Sequence, residues 1–267
     1  MRYESRRFLF ALIAALIPCA LLIGGLYILY ALMYASGAAT VASYQFAGLP
    51  ESLKAFFAVL TPLDMNDPLA FFARLYQPIA LIQTLIVAVI AGRGLTSDEG
   101  GLSELMYAAP VSRTSVFLRR ASGALILVVA LNLLLFGLSF GGYCLFRAPD
   151  GAYALAYAVI FFRLLAVELC VCALGTMFSA LTRRARSGAA WSAAAVVLLW
   201  LLPLVPSFTG LGGFLWFAAL PHYALPEYAF AMGPGFLPVQ IAVLAGVFLL
   251  SLLAAFFSYR RREFCVE

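Results

Sequence analysis

Two charged side chains, Arg163 and Glu168, lie inside an otherwise apolar stretch and are the residues best placed to do chemistry within a membrane. A charge near the centre of a bilayer helix costs about 2.5–3.5 kcal/mol on insertion scales, so such groups normally face a helix bundle and have partners there. Five residues of separation place the two side chains about 140° apart around a helix, which disfavours a pair within that helix. We expect partners on other helices or on another copy of the chain, and either a structural role or a place in a transport path.

Sequence motifs for catalysis and cofactor binding are few. The chain has no Gly-x-x-x-x-Gly-Lys-Ser/Thr phosphate loop and no His-Glu-x-x-His motif. Its only lysine is Lys54 and its only histidine is His222, and its 5 cysteines lie mostly in apolar stretches. We therefore expect no enzymatic activity, no metal and no cofactor on this chain, and we interpret the cysteines as packing residues.

The polar segment 93–113 is expected to contain a short amphipathic helix. Thr96 and Glu99 have the spacing of a capping box, and Pro110 supplies a stop. Its apolar positions recur at i, i+3, i+4 and i+7, which places four residues on one face: Leu102, Leu105, Met106 and Ala109. Such a helix either lies on the membrane surface or docks a partner protein.

The elements that position these residues are predicted to be membrane-spanning helices. The 267 residues are 65% hydrophobic and 11% charged, whereas a soluble domain is about 45–50% apolar and about 25% charged. Six apolar stretches approach the roughly 20 residues that a helix needs to cross a bilayer. They are 8–33, 75–92, 121–146, 153–181, 189–206 and 237–259. We predict an all-α polytopic membrane protein in which residues 1–267 form a single transmembrane domain. Gly137 and Gly141 are spaced for a close approach of two helices.

The basic residues predict the orientation of this chain. Thirteen of its 17 Lys and Arg residues fall before the first stretch, after the second, after the fourth or after the sixth. The positive-inside rule then places both termini in the cytoplasm, and a bacterial cytoplasmic membrane is the expected location. The net charge of +5 reflects this topology and anionic lipid rather than nucleic acid.

Two segments on the opposite side carry further expectations. Asp67 is expected to cap a helix that begins at Pro68. Segment 207–236 has no Lys or Arg and is rich in aromatic residues, and its apolar run 211–220 is too short to span. We expect a re-entrant or interfacial element there, with His222 and Glu227 either in a transport path or simply exposed at the interface.

The loop Thr96-Ser-Asp-Glu-Gly-Gly-Leu-Ser-Glu-Leu-Met-Tyr-Ala-Ala-Pro-Val-Ser-Arg113 resembles one in the type-2 permeases of ABC transporters. In that family an acidic-glycine-leucine run, a short helix and a Pro-Val/Ile-Ser-Arg ending recur between the second and third spans, as a coupling helix that contacts the ATPase. The resemblance implies that the coupling residues are Thr96, Asp98, Glu99, Leu102, Glu104, Leu105, Met106 and Arg113. It also implies an outer gate near Trp216, His222 and Glu227.

The resemblance further implies the function of a membrane-spanning permease subunit of an ABC exporter. The expected partners are a separate ABC ATPase subunit that binds ATP and Mg²⁺, a second permease copy or related permease, and the lipid bilayer. The alternative is an ion-coupled secondary transporter, which normally has inverted repeats and ion ligands at the membrane midplane. Arg163 and Glu168 keep this alternative open, although the two halves of the sequence show no clear repeat.

Overall fold

Helices make up the described parts of the chain. The computed structural model describes residues 2–48, 66–95, 112–146, 151–182, 184–202, 223 and 237–261, and no strand occurs within these ranges. The helices are α1 (Arg2–Ala35), α2 (Ala38–Ala47), α3 (Pro68–Gly94), α4 (Arg113–Cys144), α5 (Gly151–Leu181), α6 (Ala185–Leu201) and α7 (Leu237–Arg261).

Five of these helices are long and apolar enough to cross a membrane, namely α1, α3, α4, α5 and α7. Helix α6 is also apolar, but its 17 residues cover about 25 Å at 1.5 Å per residue, less than the roughly 30 Å of a bilayer core. The length and composition of the helices therefore give an all-α polytopic membrane protein.

Helix α3 is longer than its apolar run. The sequence predicted a span over 75–92, and the candidate membrane span in α3 is Leu75–Gly94, whereas the whole helix has 27 residues. Arg74 precedes the apolar run, but one polar residue does not end a helix, and α3 extends past it toward the N-terminus. As predicted, α3 begins at Pro68, and the Asp67 carbonyl accepts the Phe71 N–H at 3.0 Å.

Helices α3 and α5 form the centre of the bundle. Helix α3 packs against α1, α4, α5 and α6, and α5 packs against α3, α4, α6 and α7. The C-terminal ends of α3, α5 and α7 lie at the same end of the bundle as the N-terminal ends of α4 and α6, as the contacts between their residues show. We call this the basic end, because seven arginines are exposed there within the described ranges, namely Arg93, Arg113, Arg119, Arg184, Arg186, Arg260 and Arg261. We call the opposite end the aromatic end.

Three glycines let α3, α5 and α6 approach one another closely near the basic end. A Cβ added at Gly188 of α6 would lie 2.4 Å from the Gly92 carbonyl oxygen of α3, and one added at Gly175 of α5 would lie 2.7 Å from the Ala91 Cβ. The expected close approach at Gly137 and Gly141 is not found within the described chain, since a Cβ at either position meets nothing within 4 Å. Within the described ranges the close approaches are made by Gly92, Gly175 and Gly188 instead.

Candidate functional site

A buried polar cluster lies in the middle of the bundle and ends at Glu168. The Tyr76 hydroxyl donates to Gln83 Oε1 at 2.9 Å, and Gln83 Nε2 donates to Asn132 Oδ1 at 3.3 Å. Asn132 Nδ2 donates to Glu168 Oε2 at 2.5 Å and also to the Val128 carbonyl at 3.0 Å. The cluster, which we call the midplane cluster, thus joins α3, α4 and α5 at a carboxyl group.

Glu168 is fully buried, at 0% exposure, and only one of its oxygens is hydrogen-bonded. Oε1 has no hydrogen-bond partner among the described residues. The Gln83 amide also lies close enough to interact with the carboxyl group. A buried polar atom without a hydrogen bond destabilises the folded protein. Such an atom therefore marks either a strained site or a site that binds a ligand.

Arg163 faces a different neighbour. Its Nη2 donates to Oε1 of Gln240 on α7, and its Nη1 is buried without a hydrogen-bond partner among the described residues. Arg163 and Glu168 therefore point to separate parts of the bundle and have partners on other helices, in line with their spacing of five residues. The guanidinium group ties α5 to α7, whereas the carboxyl group ties α5 to α4.

Aromatic side chains fill the half of the bundle toward the aromatic end. They come from α1, α3, α4 and α5 and from the turn that follows α4, and their rings contact one another in one continuous group. Its members are Tyr27, Tyr30, Phe71, Phe72, Tyr76, Phe136, Phe140, Tyr143, Phe146, Tyr157 and Phe161. Within this group the Tyr27 hydroxyl lies 2.5 Å from that of Tyr157 and donates to the Ser139 carbonyl at 2.8 Å. Ring packing and hydroxyl hydrogen bonds together join α1, α3, α4 and α5 in this half of the bundle.

Ser139 lies in the sequence Gly137-Leu-Ser-Phe-Gly141, which matches the Gly-x-Ser-x-Gly pattern of hydrolase nucleophiles. That pattern works on a sharp strand-to-helix turn, whereas Ser139 is buried inside helix α4. Its hydroxyl lies 2.5 Å from the Tyr157 hydroxyl. This setting suits a structural hydrogen bond between helices and not a nucleophile.

The loop that follows α3 is held firmly where it leaves the bundle. The Leu95 N–H donates to Ser179 Oγ of α5 at 3.0 Å, and Arg120 Nη1 of α4 donates to the Leu95 carbonyl at 2.9 Å. The Leu95 side chain is buried in a small apolar cluster with Phe117 and Tyr259 of α4 and α7. We call the hydrogen-bonded trio Leu95, Arg120 and Ser179 the loop anchor.

The other end of that loop is fixed by a helix cap. Ser112 is the N-cap of α4, and its hydroxyl accepts the Ser115 N–H at 3.2 Å. Arg113, the last expected coupling residue, is the first residue of α4 and is exposed. The remaining coupling residues, Thr96, Asp98, Glu99, Leu102, Glu104, Leu105 and Met106, lie outside the described residues. So do the expected outer-gate residues Trp216, His222 and Glu227.

Metal and thiol chemistry has little support among the described residues. No group of three or more His, Cys, Asp or Glu side chains there is arranged to hold a metal ion. Four cysteines are described, all as free thiols: Cys19, Cys144, Cys170 and Cys172. All but Cys144 are buried, as packing residues would be.

The sequence prediction missed the partners of the two intramembrane charges and the loop anchor. Gln83, Asn132 and Gln240 are uncharged and sit alone in apolar runs, so a search for charged groups passes over them. Polar side chains within predicted spans are the signal that identifies them, because such groups normally face the bundle interior. No protein-family model and no curated protein sequence matches this chain.

Proposed function

We propose that this chain is the membrane-spanning permease subunit of an ABC exporter in the bacterial cytoplasmic membrane. In this proposal α1, α3, α4, α5, α6 and α7 all cross the membrane, and both termini lie in the cytoplasm. The exposed arginines of the basic end support this orientation, because Lys and Arg concentrate in cytoplasmic loops. The short α6 then crosses together with residues that follow Leu201.

The loop anchor is the observation that carries the proposal. An ATPase that pushes on residues 96–111 needs a stiff connection from that loop into the bundle. Leu95 supplies one, since its backbone N–H and carbonyl are both hydrogen-bonded to other helices, through Ser179 and Arg120. A displacement of the loop is therefore transmitted to α4 and α5 as well as to α3.

The packing around the loop anchor supports concerted motion of the helices. Gly92, Gly175 and Gly188 let α3, α5 and α6 pack closely beside the anchor, and in this proposal these three helices move together. Closure of two ATPase subunits would then shift the equilibrium of the bundle between inward-closed and outward-open states.

In this proposal the chain does no covalent chemistry, and ATP and Mg²⁺ bind to the partner ATPase. The lack of a Gly-x-x-x-x-Gly-Lys-Ser/Thr phosphate loop in the sequence supports that assignment. A second permease copy, or a related permease, completes the path. The outer gate, with Trp216, His222 and Glu227, belongs to the proposal on the strength of the resemblance alone.

The docking of the ATPase is tested with a charge-altered loop. Combining Glu99→Lys with Leu105→Asp is expected to abolish co-purification of a protein that carries a Gly-x-x-x-x-Gly-Lys-Ser/Thr motif, while the permease still inserts at normal yield. The matched control combines Glu263→Lys with Phe264→Asp in the C-terminal tail, which makes the same change of charge. Co-purification of the ATPase at normal yield with the loop variant would contradict the docking role.

The ion-coupled secondary transporter is the second candidate function, and one observation favours it. Glu168 lies near the middle of α5 with an unpartnered oxygen, at the depth where such transporters bind their coupling ions. Transport into vesicles that contain only this chain, driven by an ion gradient without nucleotide, would favour this candidate over the ABC permease.

A further inference from the structure

We propose that Glu168 is a proton-binding site in the membrane core and that the carboxyl group carries its proton on Oε1 when the bundle is packed. The inference stands on the midplane cluster alone and holds whether or not the chain couples to an ATPase. Failure of either proposal therefore leaves the other intact.

The hydrogen bonds of the midplane cluster assign the proton to one oxygen. Every donor in the series from Tyr76 points along Gln83 and Asn132 toward the carboxyl group, and the series ends at Oε2. Oε2 therefore acts as the acceptor, which is the role of the carbonyl oxygen in a carboxylic acid. Oε1 is left as the oxygen that can hold a hydrogen.

Among the described residues, none next to Glu168 carries a positive charge that could balance an ionised carboxylate. Arg163, the nearest cation along α5, donates to Gln240 on α7 instead. The titratable groups that face the carboxyl group are Cys19 on α1, Tyr76 on α3 and Cys172 on α5 itself. Two thiols and a phenol cannot supply positive charge. Asn132 and the nearby Gln83 amide are the described polar partners of this carboxyl group, and Oε1 has no hydrogen bond. A carboxylate normally accepts several hydrogen bonds, so two amides and a bare Oε1 leave the ionised form poorly solvated in a fully buried site.

The same geometry argues against a metal cation as the occupant. Sodium-like and calcium-like sites surround the ion with several oxygen ligands, about six to eight for Ca²⁺. Gln83 Oε1 and Asn132 Oδ1 already accept hydrogen bonds within the midplane cluster. Glu168 Oε1 is the one side-chain oxygen of the cluster without a hydrogen bond, and a single oxygen is enough to bind a proton.

Infrared spectroscopy of the full chain in lipid nanodiscs tests the proposal. The wild-type protein near neutral pH is expected to show the carbonyl band of a protonated carboxylic acid, and Glu168→Gln is expected to remove it. The difference spectrum isolates Glu168 from the other carboxyl groups, since the chain has 12 acidic residues and only one is changed. Glutamine reproduces the shape of the neutral acid, so this variant is expected to fold.

A second variant checks the assignment of the two oxygens. Asn132→Val removes the donor to Oε2, so the carboxylic acid band should move to higher wavenumber while remaining present. Exchanging NaCl for choline chloride should leave the wild-type band unchanged. The proposal is overturned if wild type and Glu168→Gln give the same carboxylic acid region, if sodium removes the band, or if Glu168→Gln fails to fold.

Discussion

Replacing Gly188 by alanine is expected to separate α6 from α3. The added Cβ would lie 2.4 Å from the Gly92 carbonyl oxygen, 2.8 Å from Thr182 Oγ1 and 3.3 Å from the Ser179 Cα. Ordinary van der Waals contact begins near 3.4 Å, so α6 must move by about 1 Å relative to α3. Because the closest atom belongs to the backbone, no rotamer change relieves the clash.

The expected loss of stability follows from the cost of overpacking, which is about 1–3 kcal/mol, or roughly 5- to 150-fold in the folding equilibrium. The assay is unfolding of the purified chain in detergent, followed by tertiary fluorescence. Gly137→Ala in α4 is the matched control, because a Cβ there meets nothing within 4 Å and alanine favours a helix by about 0.5–1 kcal/mol. Equal stability of the Gly188→Ala and Gly137→Ala variants would refute the argument that backbone contact holds α6 in place.

Two further predictions concern single hydrogen bonds. Ser179→Ala removes the acceptor of the Leu95 N–H and is expected to cost about 1 kcal/mol in denaturant unfolding and to weaken stimulation of the partner ATPase. Ser122→Ala, on the exposed surface of α4, should change neither, and an equal effect of the two variants would count against the loop anchor. Gln240→Leu removes the acceptor of Arg163 Nη2 and is expected to lower stability by about 1–3 kcal/mol, with recovery in the double variant that adds Arg163→Leu. A double-mutant cycle measures this coupling, and a coupling energy near zero would show that the pair does not matter.

The membrane-crossing helices could be predicted from the sequence because their length is set by the bilayer. The predicted spans 8–33, 153–181 and 237–259 lie wholly within α1, α5 and α7. The length of an apolar run does not show where a helix begins in the polar sequence beside it. The start of α3 at Pro68, seven residues before its apolar run, was predicted from Asp67 and Pro68 instead, and the 10-residue α2 was not predicted at all.

The contacts between helices could be predicted only in part. The five-residue spacing of Arg163 and Glu168 placed their partners on other helices, because the angle around a helix is fixed by its geometry. The choice of partner residues depends on the rotation and translation of each helix against its neighbours. These cannot be predicted from one sequence. Asn132 and Gln240 were therefore not recognised, and Gly137 and Gly141 were chosen over Gly92 and Gly188.

The loop after α3 and the midplane cluster serve different parts of the proposed function. Residues 96–111 carry the resemblance to ABC permeases and lie outside the described residues. The loop anchor at Leu95 connects this loop to α4 and α5, so that a force on the loop can reach the bundle. Glu168 gives the bundle a buried acid whose protonation can be measured without any partner.

The composition of the complex isolated from native membranes tests most directly whether this chain depends on a separate ATPase for its energy. Native mass spectrometry of the tagged chain is expected to find two permease subunits with two ATPase subunits that carry a phosphate-binding loop. A particle that contains copies of this chain alone, and that accumulates solute under an ion gradient without nucleotide, would contradict the account.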